Sequence, residues 1–405
     1  MTAQRSWDGG WRGYPDVDEA PPAPSGPGRG AVSDFVLFAL LPMAELRAGS
    51  LPANELAMGV AVALATLRPV RQRPVPAWLM VMLPAMLGLM GLSAYLNDLT
   101  PIRRMLHLTL YVVLAVYCAQ GRFHVRSMAR GLAAGLLISA GAYFAGFGTS
   151  YSGRLAGLMS DPNAAGYLLT TLGCLALAGM RPGRVRLATG LLIATAVVLT
   201  FSRTSLLAML LVLVWVGIGR RFAAGLGSMI LFAMIYVVTN VPISLQTFGP
   251  FADRSGSDAL RGRIVAQEKL DIASAPWYGH GPGTSRVEVL GTLFYYHSSY
   301  LAVLNEGGRI AQLLLVGAGA FGLIGLLRQR VDLRNPWYES AVIAVAVCAV
   351  NLGEVLLELP AALALGMAAY HVLASRSAAA ATGPPDDPLS RSRQSGSPGA
   401  LGLRL

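Results

Sequence analysis

Charge is scarce in this chain of 405 residues: 13% are Asp, Glu, Lys or Arg, while 54% are hydrophobic. That balance excludes an ordinary soluble domain, in which about a quarter of the residues carry charge. Cysteine is scarcer still. Cys118, Cys174 and Cys348 all fall in apolar stretches, so neither a disulfide framework nor a metal site is expected. The chain also lacks a Gly-x-Ser-x-Gly element and a His-Glu-x-x-His element, which places an intramembrane protease well down the order. No internal repeat stands out, which disfavours transporters built from duplicated halves. Residues 1–30 are polar and rich in Pro and Gly, so no cleavable signal peptide is expected there.

What the chain does have is apolar residues in blocks of roughly 16 to 22, the length that spans a hydrocarbon core. Such blocks begin near Ala31, Leu51, Pro76, Arg104, Met128, Asn163, Arg186, Thr204, Phe222, His297, Tyr338 and Val355. In lipid every backbone group must find its partner within the segment. The expected fold is therefore all-α, a polytopic membrane bundle of about twelve helices. Its organisation reads as a disordered tail (1–30), nine spans (31–240), a long loop (241–296), three spans (297–374) and a second disordered tail (375–405). Five short connections carry fourteen arginines, among them Arg68, Arg122, Arg181, Arg220 and Arg334, while the short loops of the other side carry few. By the positive-inside rule both termini are cytoplasmic and the long loop is extracytoplasmic. The net charge of +11 then reflects topology and does not call for a nucleic-acid partner.

The loop from Val241 to Tyr296 collects Arg254, Arg261, Arg263, Lys269, His280 and Arg286, and His297 begins the next apolar segment. Arg261 to Pro276 reads as one helix ended by proline. Glycines 279, 281 and 283 follow, a spacing that lets backbone amides approach a phosphate, although such a turn is more often only a turn. Charge at a membrane rim needs a partner or a purpose. Arg103 and Arg104 are expected to snorkel to headgroups. Asp161-Pro162-Asn163 makes a good helix start, and Glu306 is expected to pair structurally with Arg309. Together with Arg154, Arg203, Glu354 and Glu358, these groups could line one outward-facing polar cavity.

In order and topology these elements resemble the O-antigen ligase/polymerase family of bacterial membrane glycosyltransferases. The resemblance runs from Gly153-Arg154 and Asp161-Pro162-Asn163 through Ser202-Arg203-Thr204, Gly262-Arg263 and Gly279-His280-Gly281-Pro282-Gly283 to His297 and Asn305-Glu306-Gly307-Gly308. This chain has Ser298 where the family usually has Asn, and Gln267 where it has an aromatic residue. The resemblance implies inverting transfer of a glycan from a polyprenyl-pyrophosphate carrier to an acceptor hydroxyl at the outer face of the bacterial cytoplasmic membrane. Catalytic roles would fall to His297, which orients or deprotonates the hydroxyl, and Arg263. Arg203, Arg261, Arg154, Gly281 and Gly283 would hold the pyrophosphate. No metal or other cofactor is implied. The partners implied are the carrier-linked glycan, a glycan or lipid acceptor, membrane lipid and polysaccharide assembly proteins. A flippase or transporter of lipid-linked oligosaccharide is the rival from another class, since it too needs a cationic outward cavity.

Overall fold

The computed structural model describes residues 29–72, 74–148, 153–239 and 255–381. Within them the chain is mostly helical: α1 (Arg29–Leu40), α2 (Ala53–Thr66), α3 (Ala77–Leu96), α4 (Ile102–Ala119), α5 (Val125–Phe144), α6 (Pro162–Ala178), α7 (Arg184–Leu199), α8 (Arg203–Ile218), α9 (Ala224–Thr239), α10 (Ser255–Ser274), α11 (Ser299–Leu327), α12 (Pro336–Asn351) and α13 (Leu359–Ala381). Two antiparallel hairpins add a little sheet, β1 (Arg47–Ala48) with β2 (Leu51–Pro52) and β3 (Arg286–Val289) with β4 (Thr292–Tyr295). The purely helical expectation is corrected there.

Four helical segments are long and apolar enough to cross a membrane by themselves: Ala77–Leu96, Ile102–Ala119, Arg203–Arg221 and Ser299–Leu327. Helix occupies or adjoins each of the twelve expected starts, but others, such as Ala53–Thr66 and Pro336–Asn351, fall short on length. A count of twelve therefore does not follow from helix length. Phe232 (72% exposed) and Leu313 (69%) point away from the protein on apolar helices, a pattern that lipid covers and water would penalise. The expected tail at 375–405 is also corrected in part, because α13 continues through Ala381. Residues 1–28 and 382–405, the loop segment 240–254 with its Arg254, and Arg73 lie outside the described residues.

Short polar sequences set the helix starts. Asp161 accepts from the Asn163 and Ala164 amides and Pro162 follows as the first helical residue of α6. Asn335 and Pro336 repeat the arrangement at α12. Both satisfy orphan amides where proline has none to offer. Elsewhere small residues let backbones touch: a Cβ at Gly131 or Gly135 of α5 would meet the Phe35 or Ala39 carbonyl of α1. That Gly-x-x-x-Gly spacing is the membrane form of close helix packing, where shape must replace the hydrophobic effect.

Polar side chains gather at the two ends of the helices. At one end Arg68 meets buried Asp34 at 2.6 Å, Arg122 donates to the carbonyls that end α2, and Arg334 grips Glu339. Arg122 thereby satisfies helix C-terminal carbonyls at the negative end of the α2 dipole. The other end carries α10, the β3–β4 hairpin and the starts of α6, α8 and α11.

Candidate functional site

Helix α10 presents Arg261, Ile264, Glu268 and Asp271 at helical spacing along one face. Ile264 is buried against Val287, Val289 and Tyr296, joining helix to hairpin. The hairpin register pairs Val289 with Thr292. That leaves Leu290 (φ 54°) and Gly291 (φ 75°) as a two-residue loop with both φ positive, the backbone that matches the twist of paired strands. Two further ties fix the chain after β4. The Glu268 carboxylate accepts from the His297 amide, and the Tyr296 hydroxyl donates to Asp271 at 3.1 Å.

A cavity of about 440 Å³ opens beside this assembly. Its wall includes His297, Arg261, Asp161, Asn163, Glu354 and Glu358. Those side chains come from four parts of the chain: α10, the end of the hairpin, the start of α6 and the segment between α12 and α13. Arg154 stands behind the wall as a strut, donating to the Thr200 carbonyl at 3.0 Å and to Asn163 at 3.1 Å. Gly353 passes so close to the Tyr296 carbonyl that a Cβ there would meet it, which brings the Glu354 and Glu358 segment up to His297.

His297 Nδ1 lies 3.3 Å from the Tyr295 carbonyl. When Nδ1 donates to that oxygen, Nε2 keeps its lone pair and can accept a proton. Burial holds the imidazole below its ordinary pKa, the Tyr295 carbonyl opposes this, and the Arg261 cation adds to the lowering. A neutral imidazole at neutral pH is the form a general base needs. Glu268 beneath it is fully buried, with one oxygen on the His297 amide and the other without a partner. Burial pushes its carboxyl up to about 6, against the steadying bond from the His297 amide.

A second polar node adjoins the cavity. The Arg104 guanidinium lies 3.3 Å from Glu354 and 3.5 Å from buried Glu306. Arg104 therefore turns inward rather than snorkelling, and Glu306 pairs with Arg104 rather than Arg309, which is exposed. Arg103 does stay largely exposed, bonded to Glu55 at 2.7 Å.

The other expected site residues stand apart from this wall. Arg263 is exposed and outside the cavity wall. It follows Arg261 by two residues, or about 200° of helical rotation, so only Arg261 can face the cavity. Arg203 opens α8 and is likewise outside the wall. The glycine turn has its amides engaged within the protein. The Gly281 amide donates to the Glu306 carbonyl at 3.1 Å and the Gly283 amide to the Glu306 carboxylate. His280 binds Asn305 through both its amide and its ring. The turn thus docks on α11 where that helix kinks at Gly308 (φ 77°, ψ 179°). Sequence reasoning missed the hairpin, although Val287 and Val289 alternating with polar neighbours ahead of Gly291 carry its signal.

No family model matches this chain, and no curated protein matches it.

Proposed function

We propose that this chain is a polytopic glycosyltransferase of the O-antigen ligase/polymerase type. It would move a glycan from a polyprenyl-pyrophosphate carrier to an acceptor hydroxyl during assembly of a surface polysaccharide. The observation that carries this reading is the meeting of Arg261 and His297 in one cavity wall, although they stand on different elements. In the reaction the acceptor oxygen bonds to the anomeric carbon while the bond from that carbon to the pyrophosphate oxygen breaks. The electron pair leaves on the diphosphate, and the acceptor proton passes to Nε2 of His297. Arg261 supplies a fixed cation with paired donors for the growing charge. Asn163, braced by Arg154, offers a further polar group beside it. Asp161, Glu354 and Glu358 would repel a diphosphate, but carboxylates accept well from sugar hydroxyls. The carrier's anion therefore belongs at the Arg261 and His297 side, and the sugar rings at the acidic side.

The same proposal puts the chain in the bacterial cytoplasmic membrane with about twelve crossings, both termini inside and α10 with its hairpin outside. The arginine-rich connections support this orientation. Ligase and polymerase share the carrier and differ in the acceptor, so the reading covers both.

The test is transfer in liposomes from a polyprenyl-pyrophosphate oligosaccharide. His297→Ala and Arg261→Ala should each lower the rate by at least about 100-fold, whereas Arg263→Ala should stay within about three-fold, since an exposed side chain off the cavity stabilises no transition state. Unchanged transfer by His297→Ala at equal protein level would refute the assignment. Movement of intact carrier-linked glycan between leaflets, with no product, would replace it with the transporter reading.

A further inference from the structure

At the end of the helices away from the His297 cavity, the start of α3, the end of α11 and the end of α13 leave a groove of about 830 Å³. Its walls are apolar: Trp78, Val81 and Met82 from α3, Phe321 and Ile324 from α11, and Val372 from α13. Val81 and Phe321 remain 62% and 54% exposed. The mouth is cationic, formed by Arg328, Arg330 and Arg376. Arg330 shares its charge with Asp332 at 3.2 Å, while Arg328, capping the end of α11, and Arg376, in the final third of α13, are exposed. Between wall and mouth sits Gln329, whose amide nitrogen and oxygen are both buried without a partner. Arginine at this end is expected from topology alone. An apolar groove beneath it, and a buried amide with unused donors and acceptor, are not.

We propose that this groove binds an anionic phospholipid. The acyl chains lie along Trp78, Val81 and Phe321, where lipid continues the apolar surface of the helices. The headgroup phosphate sits between Arg328 and Arg376, and the Gln329 amide, otherwise orphaned, bonds to the ester or phosphate oxygens. Basic pockets between helix ends at the arginine-rich face have the right chemistry for such lipids. The site is independent of the glycosyl-transfer reading and needs only that the apolar helices lie in a bilayer.

The test is native mass spectrometry of the full-length protein in detergent, titrated with phosphatidylglycerol or with phosphatidylcholine of the same acyl chains. Wild type should retain phosphatidylglycerol in preference. Arg328→Gln and Arg376→Gln should each weaken it about five-fold, and roughly thirty-fold together. Both side chains are exposed, so the unfolding temperature should hold. Gln329→Leu should weaken phosphatidylglycerol while leaving phosphatidylcholine unchanged. Equal retention of the two lipids, or undiminished phosphatidylglycerol binding in the double variant, would overturn the proposal. So would displacement of the lipid by inorganic phosphate alone, which would mark a site for a free anion.

Discussion

Removing Glu339 should be among the most damaging single changes this protein can suffer. Its two oxygens accept from Nε and Nη2 of Arg334, each at 2.8 Å, and one also accepts from the Trp215 indole at 2.8 Å. The third arginine nitrogen donates to the Phe222 carbonyl at 2.9 Å. Arg334 is 1% exposed and Glu339 0%, so solvent cannot replace a lost partner. Glu339→Ala strands a guanidinium in the interior and should cost about 3–5 kcal/mol, as should Arg334→Ala for the converse reason. Replacing both by methionine removes both desolvated charges and should cost less than either single change. The exposed Arg330–Asp332 pair gives the internal control, since Asp332→Ala should cost under about 1 kcal/mol. Denaturant unfolding in a mild detergent would measure all four variants. A Glu339→Ala protein as stable as the Asp332→Ala control would refute the reasoning.

Two further outcomes follow from the site. Glu268 has its carboxyl raised from 4.5 to about 6, so its ionisation costs about 2 kcal/mol. The stability it contributes is complete below pH 4.5 and is lost as pH rises through about 6. The unfolding free energy of wild type relative to Glu268→Gln should therefore fall by up to about 2 kcal/mol between about pH 3.5 and about pH 7, and a difference that ignores pH would remove the assignment. At the α11 kink, Gly308→Ala should cost at least about 1–3 kcal/mol in backbone strain alone, because its φ of 77° and ψ of 179° suit glycine and a Cβ would strike the Trp277 carbonyl. Thermal unfolding equal to wild type would mean the kink can relax.

Local grammar was readable where it was self-contained. Asp161-Pro162 and the end of the loop helix ahead of Pro276 need only neighbours a few residues away, and both stand where the residue types direct, although that helix starts at Ser255 rather than Arg261. The proposal that rim charges share one polar cavity gains support from Asp161, Glu354, Glu358, Arg261 and His297 lining the same space. What stayed hidden depends on long-range geometry. Arg104 finds its carboxylates at positions 306 and 354, and no local pattern gives a partner so distant in the chain. The choice between Arg261 and Arg263 rests on how α10 is rotated, which the hairpin decides through Ile264. Glycines 279, 281 and 283 look like a phosphate loop in one dimension, yet the Gly281 and Gly283 amides already have partners on α11 and the Gly279 amide bonds to the Pro276 carbonyl. The segment from Asn351 to Glu358 reads as the entry to an apolar span, but folds as a turn and a short 3-10 helix that closes the cavity.

The length of α11 has a consequence for depth. Its 29 residues extend about 43 Å at 1.5 Å each, against roughly 30 Å of hydrocarbon. Upright in a bilayer the helix would exceed the oily layer by about nine residues, and Ser299 to Gly307, the portion ahead of the kink, matches that excess. Gly308 would then mark a waterline, with the helix below it in the bilayer and the portion above it a post in the headgroup zone to which the glycine turn is moored. On the glycosyl-transfer reading proposed above, a diphosphate tethered to a membrane-embedded polyprenyl chain would be held at that same height, so carrier and cavity would need to find each other only in two dimensions.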